Sequence, residues 1–331
     1  MDNRIQDTGV IVIGRNEGDR LKRCLASLSM KADAVVYVDS GSTDGSADYA
    51  RSIGVGVVDL DMSLPFNAGR ARNAGFSLLS RTNQGLKYVQ FVDGDCELSE
   101  GWISTAKEFL EARQEYAIVI GRLKERNPKA SVYNTLCDVE WTRPEGDVPS
   151  CGGIFMVRSA AFSACGGFNE TMIAGEEPEL SFRLREAGWR LYCLSRPMAT
   201  HDAAIYRFSQ WWRRTVRGGY AYAHRCSLHI GKNDSYLRVA TMRVWFWALG
   251  IPALAVALWP LFGPWSTLVF LGYFYKLMRG YTSTAKVFGD RRASFLYAAF
   301  SVIGGWAQLA GQIDFLAKNA FKKGHKIMEY K

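Results

Sequence analysis

"FVDGDCEL", residues 91–98, ends an apolar run with two aspartates one residue apart. The preceding "YVQFV" (88–92) reads as a buried strand, and Gly94 lets the chain bend straight after it. Two carboxylates in such a place suit a polar turn. They also suit a cation site that holds a diphosphate, because hard oxygen ligands match Mg²⁺ or Mn²⁺. The flanking sequence separates these readings.

Working outward, "VIVI" (10–13) is an unbroken, β-branched run of the kind found in a parallel strand covered on both faces. Leu21, Leu25 and Leu28 then fall at helical spacing. "AVVYV" (34–38) predicts a second strand, followed by the turn-rich "DSGSTDGS". A helix near 46–53, a strand near 55–58 and a helix over 68–80 precede the strand at 88–92. Trp102, Ile103, Ala106, Phe109 and Leu110 mark another helix, and "AIVIG" (117–121) a fifth strand. The alternation predicts a doubly wound α/β sheet. Ligands in such sheets bind beyond the carboxyl ends of the strands. Arg15, Asn16 and Glu17 follow strand one, Asp39 follows strand two, and Asp93 and Asp95 follow strand four. Polar clusters at three strand ends favour the cation reading. Neither GxGxxG nor GxxxxGK[ST] is present, so bound phosphates need another counter-charge, and a divalent metal on Asp95 supplies it.

"GGFNETMIAGEEPELSFRLREAGWRLYCL" (166–194) holds a second constellation. Pro178 suits the first turn of a helix and Gly188 its stop, which puts Glu176 and Glu177 at the N-terminus. Acidic residues there meet the helix dipole favourably. A carboxylate so placed can also serve as general base toward an attacking hydroxyl, a role worth roughly 10²–10⁴-fold in rate. His201 follows the strand that returns from this helix, and imidazole beside Asp95 leans the site toward Mn²⁺.

Composition bounds the rest. The 331 residues are 48% hydrophobic and 22% charged, as in a globular chain. Residues 1–199 hold 23 Lys/Arg against 27 Asp/Glu, whereas residues 200–331 hold 18 against 5. A basic back half that also carries the longest apolar runs points to an anionic membrane face. No zinc-finger spacing, RNA-binding signature or basic zipper accompanies the charge, which argues against nucleic acid as a partner. Seven cysteines without a CxxC read as free thiols in a reducing compartment. "MDNRIQDTG" has no apolar core, so the expectation is a catalytic region that begins in the cytoplasm.

Together, "VIVIGRNE", "VDSGSTDGS", "GRARNAG", "DGD", "GGIFMVR" and "GEEPELSFRLREAGW" resemble glycosyltransferase family 2, over roughly residues 8–220. The resemblance implies the GT-A fold, a single mixed nucleotide-binding sheet flanked by helices. It implies inverting, metal-dependent transfer of one sugar from a nucleotide diphosphate sugar, UDP-linked in preference to GDP-linked. Carried onto this chain, Arg15, Glu17 and Asp39 contact the donor base and ribose, and Arg72 helps hold the nucleotide. Asp93 meets the ribose or a metal water, while Asp95 and His201 bind the divalent cation. Glu177 matches the usual base, with Glu176 as the alternative. Two departures stand out. Asp39 is followed by Ser40 rather than a second acid, and "QWWRR" (210–214) has Arg214 where processive synthases carry Trp, which favours a single addition. Gln210, Trp211, Trp212 and Arg213 are expected to meet acceptor or membrane.

Residues 244–275 contain no charge. As a helix, 244–262 spans about 28 Å, close to the roughly 30 Å of a bilayer core. Residues 265–278 read as a tilted or re-entrant return, and 293–313 form a second charge-free run that lies in the interface or re-enters. Arg238, Arg243, Lys276, Arg279, Arg291, Arg292, Lys318, Lys322 and Lys323 flank these runs and favour the cytoplasmic side. The expected organisation is a catalytic domain (1–220), a basic juxtamembrane linker (221–243) and a membrane-associated helical region (244–331). A membrane-held transferase suggests a polyprenyl-diphosphate-linked acceptor in cell-envelope or exopolysaccharide assembly, on the inner membrane. The alternatives are a polyprenyl-phosphate sugar synthase, a nucleotidyltransferase and a non-catalytic membrane scaffold.

Overall fold

The computed structural model describes residues 7–28, 34–65, 67–229 and 235–321. One compact unit takes Met1–Arg126 and Arg143–Ala203, and a second takes Asn127–Thr142 and Ala204–Lys331.

The first unit is built on a nine-stranded mixed sheet. Its strands are β1 (Thr8–Gly14), β2 (Val35–Asp39), β3 (Gly56–Asp59), β4 (Tyr88–Asp93), β5 (Cys96–Leu98), β6 (Tyr116–Glu125), β7 (Gly146–Asp147), β8 (Phe155–Arg158) and β9 (Arg190–His201). The order is β3-β2-β1-β4-β8-β6-β9-β5, with β7 paired to β9. β3, β2, β1 and β4 run parallel, and β8 is antiparallel to both β4 and β6. The sheet is therefore mixed, as the family resemblance implies, rather than purely doubly wound. Val10, Ile11 and Val12 have no exposed surface, as befits a central parallel strand. Helices α1 (Asp19–Ser27), α2 (Ser46–Ser52), α3 (Ala68–Thr82), α4 (Trp102–Ala112), α6 (Ser159–Ala164) and α7 (Glu176–Glu186) flank it. β5 follows the DGD turn so closely that no separate apolar run announces it. Its register on β9 sets Cys96 opposite His201.

The second unit is helical: α5 (Val132–Trp141), α8 (Phe208–Leu228), α9 (Ser235–Trp245), α10 (Ile251–Phe262), α11 (Leu271–Phe288) and α12 (Arg291–Ala320). A π-helical turn (Phe246–Gly250) joins α9 to α10, and a 3₁₀ segment (Gly263–Phe270) joins α10 to α11. Gly263 takes φ 52°, a left-handed backbone that glycine tolerates, and this ends α10. The chain then returns, and Tyr273 Oη donates to the Trp247 carbonyl at 2.5 Å. This is the return expected over residues 265–278. α12 continues unbroken for 30 residues, without the re-entrant turn that was one of the two expectations for the second run. Arg238–Phe288 and Arg291–Ala320 are long and apolar enough to cross a membrane, by length and composition alone. Val256, Leu261 and Trp265 are each at least 73% exposed, an apolar surface that water does not favour. α8 and α12 cross with backbones almost touching, because Gly219 and Gly311 carry no side chain at the crossing. Lys322 and Lys323 lie outside the described residues.

Candidate active site

The site is assembled from strand ends. β1 and β2 are parallel neighbours, so their C-terminal loops emerge side by side. Asn16 stitches the loops together: its amide N–H donates to Ser42 Oγ at 2.9 Å, and its Oδ1 accepts from the Thr43 N–H at 2.8 Å. Asn16 takes φ 56°, which asparagine tolerates better than most residues. Arg15 beside it is exposed, and Glu17 pairs with Arg20 at 2.8 Å. Asp39, 4% exposed, accepts from Tyr37 Oη at 2.9 Å and from the Ser42 N–H at 2.7 Å. It thus orders the loop that follows β2 and lines a cleft of about 440 Å³ with Gly41, Ser42, Thr43 and Met62. Burial, and then the Asp39 carboxylate, push the Tyr37 hydroxyl well above its ordinary range.

The two acidic constellations meet through Arg72. Its side chain, on α3, is 2% exposed. Nη1 donates to Glu177 Oε1 at 3.0 Å and to Glu176 Oε1 at 3.4 Å, and Nη2 donates to Asp93 Oδ1 at 2.9 Å. Its guanidinium carbon lies 5.3 Å from the centre of the Phe168 ring. The resemblance gave Arg72 to the nucleotide. The structure shows its guanidinium bridging three carboxylates, a contact that residues so far apart in sequence do not disclose. Gly153 makes room for it: a Cβ there would come within 2.5 Å of Asp93 Oδ2 and 3.0 Å of Arg72 Nη2. Gly175 starts α7 from a left-handed φ of 76°, which brings both glutamates to the helix end as the sequence pattern expects.

Exposure separates the two glutamates. The Glu176 side chain is 5% exposed and that of Glu177 16%. Burial and the neighbouring Glu176 carboxylate raise the Glu177 pKa, against the opposing pull of Arg72. Asp93, about a third exposed, is also raised, by burial and by Asp95 and Glu177, with Arg72 opposing. Within this cluster one guanidinium faces three carboxylates, so negative charge is in surplus.

Asp95 and His201 come together where β5 pairs with β9. His201 Nε2 lies 3.4 Å from Asp95 Oδ1, and Nδ1 lies 3.9 Å from Glu125 Oε2. Glu125 is itself held by the Ala203 N–H at 3.0 Å. Two donors about 2.1 Å from one cation stand roughly 3.0–3.4 Å apart, so the pair fits a shared divalent ion. The Cys96 thiol lies 3.4 Å from Asp95 Oδ1 and donates to it; burial, then Asp95, push that thiol well up. Sequence reading passed over Glu125, Gly153 and Cys96. The "GG" at 152–153 was the visible signal for the close approach, whereas the β5–β9 register had no local signal.

The remaining expected residues belong to the helical unit. Gln210 Oε1 accepts from the Tyr206 and Arg207 N–H groups at 2.9 and 3.0 Å and so caps α8. Trp211 is 6% exposed, with its ring 4.9 Å from Phe300 and 6.4 Å from Tyr133, a core position rather than an open platform. Trp211 and Trp212 meet edge to face, at 61°. Arg213 is exposed, and Arg214 forms a two-pronged pair with Glu140 at 2.8 and 3.1 Å.

A mixed α/β sheet with acidic strand ends, a DGD turn and an acid-capped helix is the GT-A fold of glycosyltransferases. Residues 9–210 match Glycosyl transferase family 2, and the chain belongs to that family. Over 214 residues it is 28% identical to the pre-mycofactocin glycosyltransferase of Mycobacterium tuberculosis, in strains CDC 1551 / Oshkosh and ATCC 25618 / H37Rv alike. The match takes 60% of this chain and 43% of that protein, so the chain spans less than half the length of these curated relatives. The fold is similar to that of the mannosyltransferase PcManGT from Pyrobaculum calidifontis, solved with GDP-Man and Mn²⁺. The TM-score is 0.59 at 16% identity, over 94% of this chain and 87% of that one.

Proposed function

We propose that the chain is an inverting glycosyltransferase that moves one sugar from a nucleoside diphosphate sugar to an acceptor held at the membrane. The carrying observation is the Arg72 bridge, which joins Asp93 of the DGD turn to Glu177 at the start of α7. A leaving-group end and a base end thereby share one framework. Asp95 and His201 would hold Mn²⁺ or Mg²⁺. Such an ion, when bound, acts as a Lewis acid that offsets charge building on the departing diphosphate. Glu177 accepts the proton of the attacking hydroxyl. Of the two glutamates it is the more accessible, and its raised pKa makes it the better base near neutrality. Direct displacement by that hydroxyl inverts the anomeric carbon. Arg72 acts as a positioning residue, fixing Glu177 and Asp93 without being reached by solvent. Arg15, Glu17 and Asp39 take the nucleoside end, Asp39 chiefly by ordering the loop beside it.

The family resemblance favours uridine in the donor, and the GDP-Man bound by the mannosyltransferase of similar fold supports guanosine as the second choice. In this reading residues 1–220 form the catalytic domain, 221–243 a basic linker and 244–331 the membrane-associated region, with the catalytic face in the cytoplasm. The exposed apolar helices support a polyprenyl-diphosphate-linked glycan as acceptor, engaged near Trp212 and Arg213. The kinship with a pre-mycofactocin glycosyltransferase supports a second reading, in which the acceptor is a molecule of that kind rather than a lipid-linked glycan. Transfer assays with Mn²⁺ decide between them. Product on polyprenyl-diphosphate oligosaccharide supports the first, product on a water-soluble acceptor alone supports the second, and product on polyprenyl phosphate identifies a lipid-phosphate sugar synthase. Release of pyrophosphate in place of nucleoside diphosphate would show a nucleotidyltransferase.

A further inference from the structure

The DGD turn carries a third donor. Asp95, Cys96 and His201 each present one ligand atom, and all three atoms lie within 4.8 Å of one another. Cys96 and His201 are direct partners across the antiparallel β5–β9 ladder, so their side chains leave the same face of the sheet. Asp95 Oδ1 is 3.4 Å from His201 Nε2 and 3.4 Å from Cys96 Sγ. Around a tetrahedral ion, with bonds of about 2.3 Å to sulfur and about 2.0–2.1 Å to nitrogen and oxygen, the expected O···N and O···S separations are roughly 3.3 and 3.5 Å. The observed pairs match both. Cys96 has no exposed surface and His201 and Asp95 little, so the three are held by packing before any ion arrives. An oxygen and imidazole pair alone suits Mg²⁺ and Mn²⁺, whereas an added sulfur suits borderline-soft ions.

We infer that Cys96 is a third ligand at this site, and that the site takes zinc-class ions through a mixed oxygen, sulfur and nitrogen set. With an ion bound, Cys96 would be held as the thiolate, its proton released on binding, and Sγ, Asp95 Oδ1 and His201 Nε2 would be the three protein ligands. The inference rests on the reading of Asp95 and His201 as cation ligands.

Co²⁺ added to the full-length protein tests it, because thiolate-bound cobalt shows a near-ultraviolet charge-transfer band that oxygen and nitrogen ligands do not produce. Wild type and Cys24→Ser are expected to show the band, and Cys96→Ser to lose it. Cys24 is the control because it is a neighbouring buried thiol, with Sγ 3.8 Å from the Asp93 carbonyl. Zn²⁺ affinity, by competition against cobalt, is expected to fall in Cys96→Ser by at least the 10–100-fold seen when outer-shell partners of a metal are lost. Mn²⁺ affinity, by paramagnetic resonance, should fall less. A wild-type cobalt complex without the band overturns the inference whether or not Cys96→Ser folds, and so does a band that survives Cys96→Ser. If Mn²⁺ binds in an Asp95-dependent way but cobalt gives no band, only the inference falls. If no ion binds wild type, the cation reading falls with it.

Discussion

Arg72 reaches three carboxylates with a side chain that solvent hardly touches, and this sets the energetics of the site. Removing one partner of a buried ionic cluster costs about 3–5 kcal/mol, because charges are left buried without compensation. Arg72→Met is therefore expected to lower stability by about that amount in chemical denaturation, and Arg72→Met with Glu177→Gln to recover part of it. Glu177→Gln alone should behave differently. The raised Glu177 pKa means that the folded state holds the proton more tightly than the unfolded chain does. Stability from this group is present below the unfolded pKa and is lost as pH rises through the folded one. At neutral pH ionised Glu177 thus opposes folding, and Glu177→Gln is expected to leave the melting temperature unchanged or higher. Transfer should fall about 10²–10⁴-fold with donor binding retained. For the same reason, the acid limb of the wild-type rate profile is expected to lie above the range of an ordinary carboxylate. Asp93, Asp95, Glu176 and Glu177 were legible from position alone, since acids after buried strands or at a helix start are local patterns. The bridge was not, because it joins α3 to residues 21 and 105 positions away.

Among elements, the close approaches are the sensitive points. Gly153→Ala would drive a methyl group into Asp93 and Arg72 while leaving the core alone. Far-ultraviolet dichroism should be unchanged while transfer collapses. At the α8–α12 crossing, a Cβ on Gly311 would lie 2.0 Å from the Val216 carbonyl oxygen, which is backbone and cannot rotate away. Gly311→Ala is expected to destabilise the helical unit by at least the 1–3 kcal/mol typical of overpacking, roughly, as measured by thermal melting in detergent. The central strands could be read because β-branched runs buried on both faces have a distinctive composition. β5 and α5 could not. β5 is three residues long and takes its identity from pairing with β9, and α5 lies between segments of the first unit but packs within the second.

At the scale of the whole chain, charge and apolarity divide unevenly, with an excess of 13 positive charges in residues 200–331. Two stretches long and apolar enough to cross a bilayer lie in that basic half. The full-length protein is accordingly expected to sediment with membranes and to stay there through a high-salt wash and an alkaline carbonate wash. Release by salt alone would indicate surface attachment. The apolar runs were plain in the sequence because hydropathy needs no partner. Continuity of α12 was not, since paired glycines such as Gly304 and Gly305 weaken a helix unless packing holds them, and Gly304 is set against Thr215 and Trp211. The central claim is cation-dependent sugar transfer at a site where Arg72 joins Asp93 to Glu177. Nucleoside diphosphate release from a panel of UDP- and GDP-sugars with Mn²⁺ tests it most directly. Release from one donor, lost with chelator and in Asp95→Asn, is the expected result; no release from any donor, or release unchanged in Asp95→Asn, would contradict it.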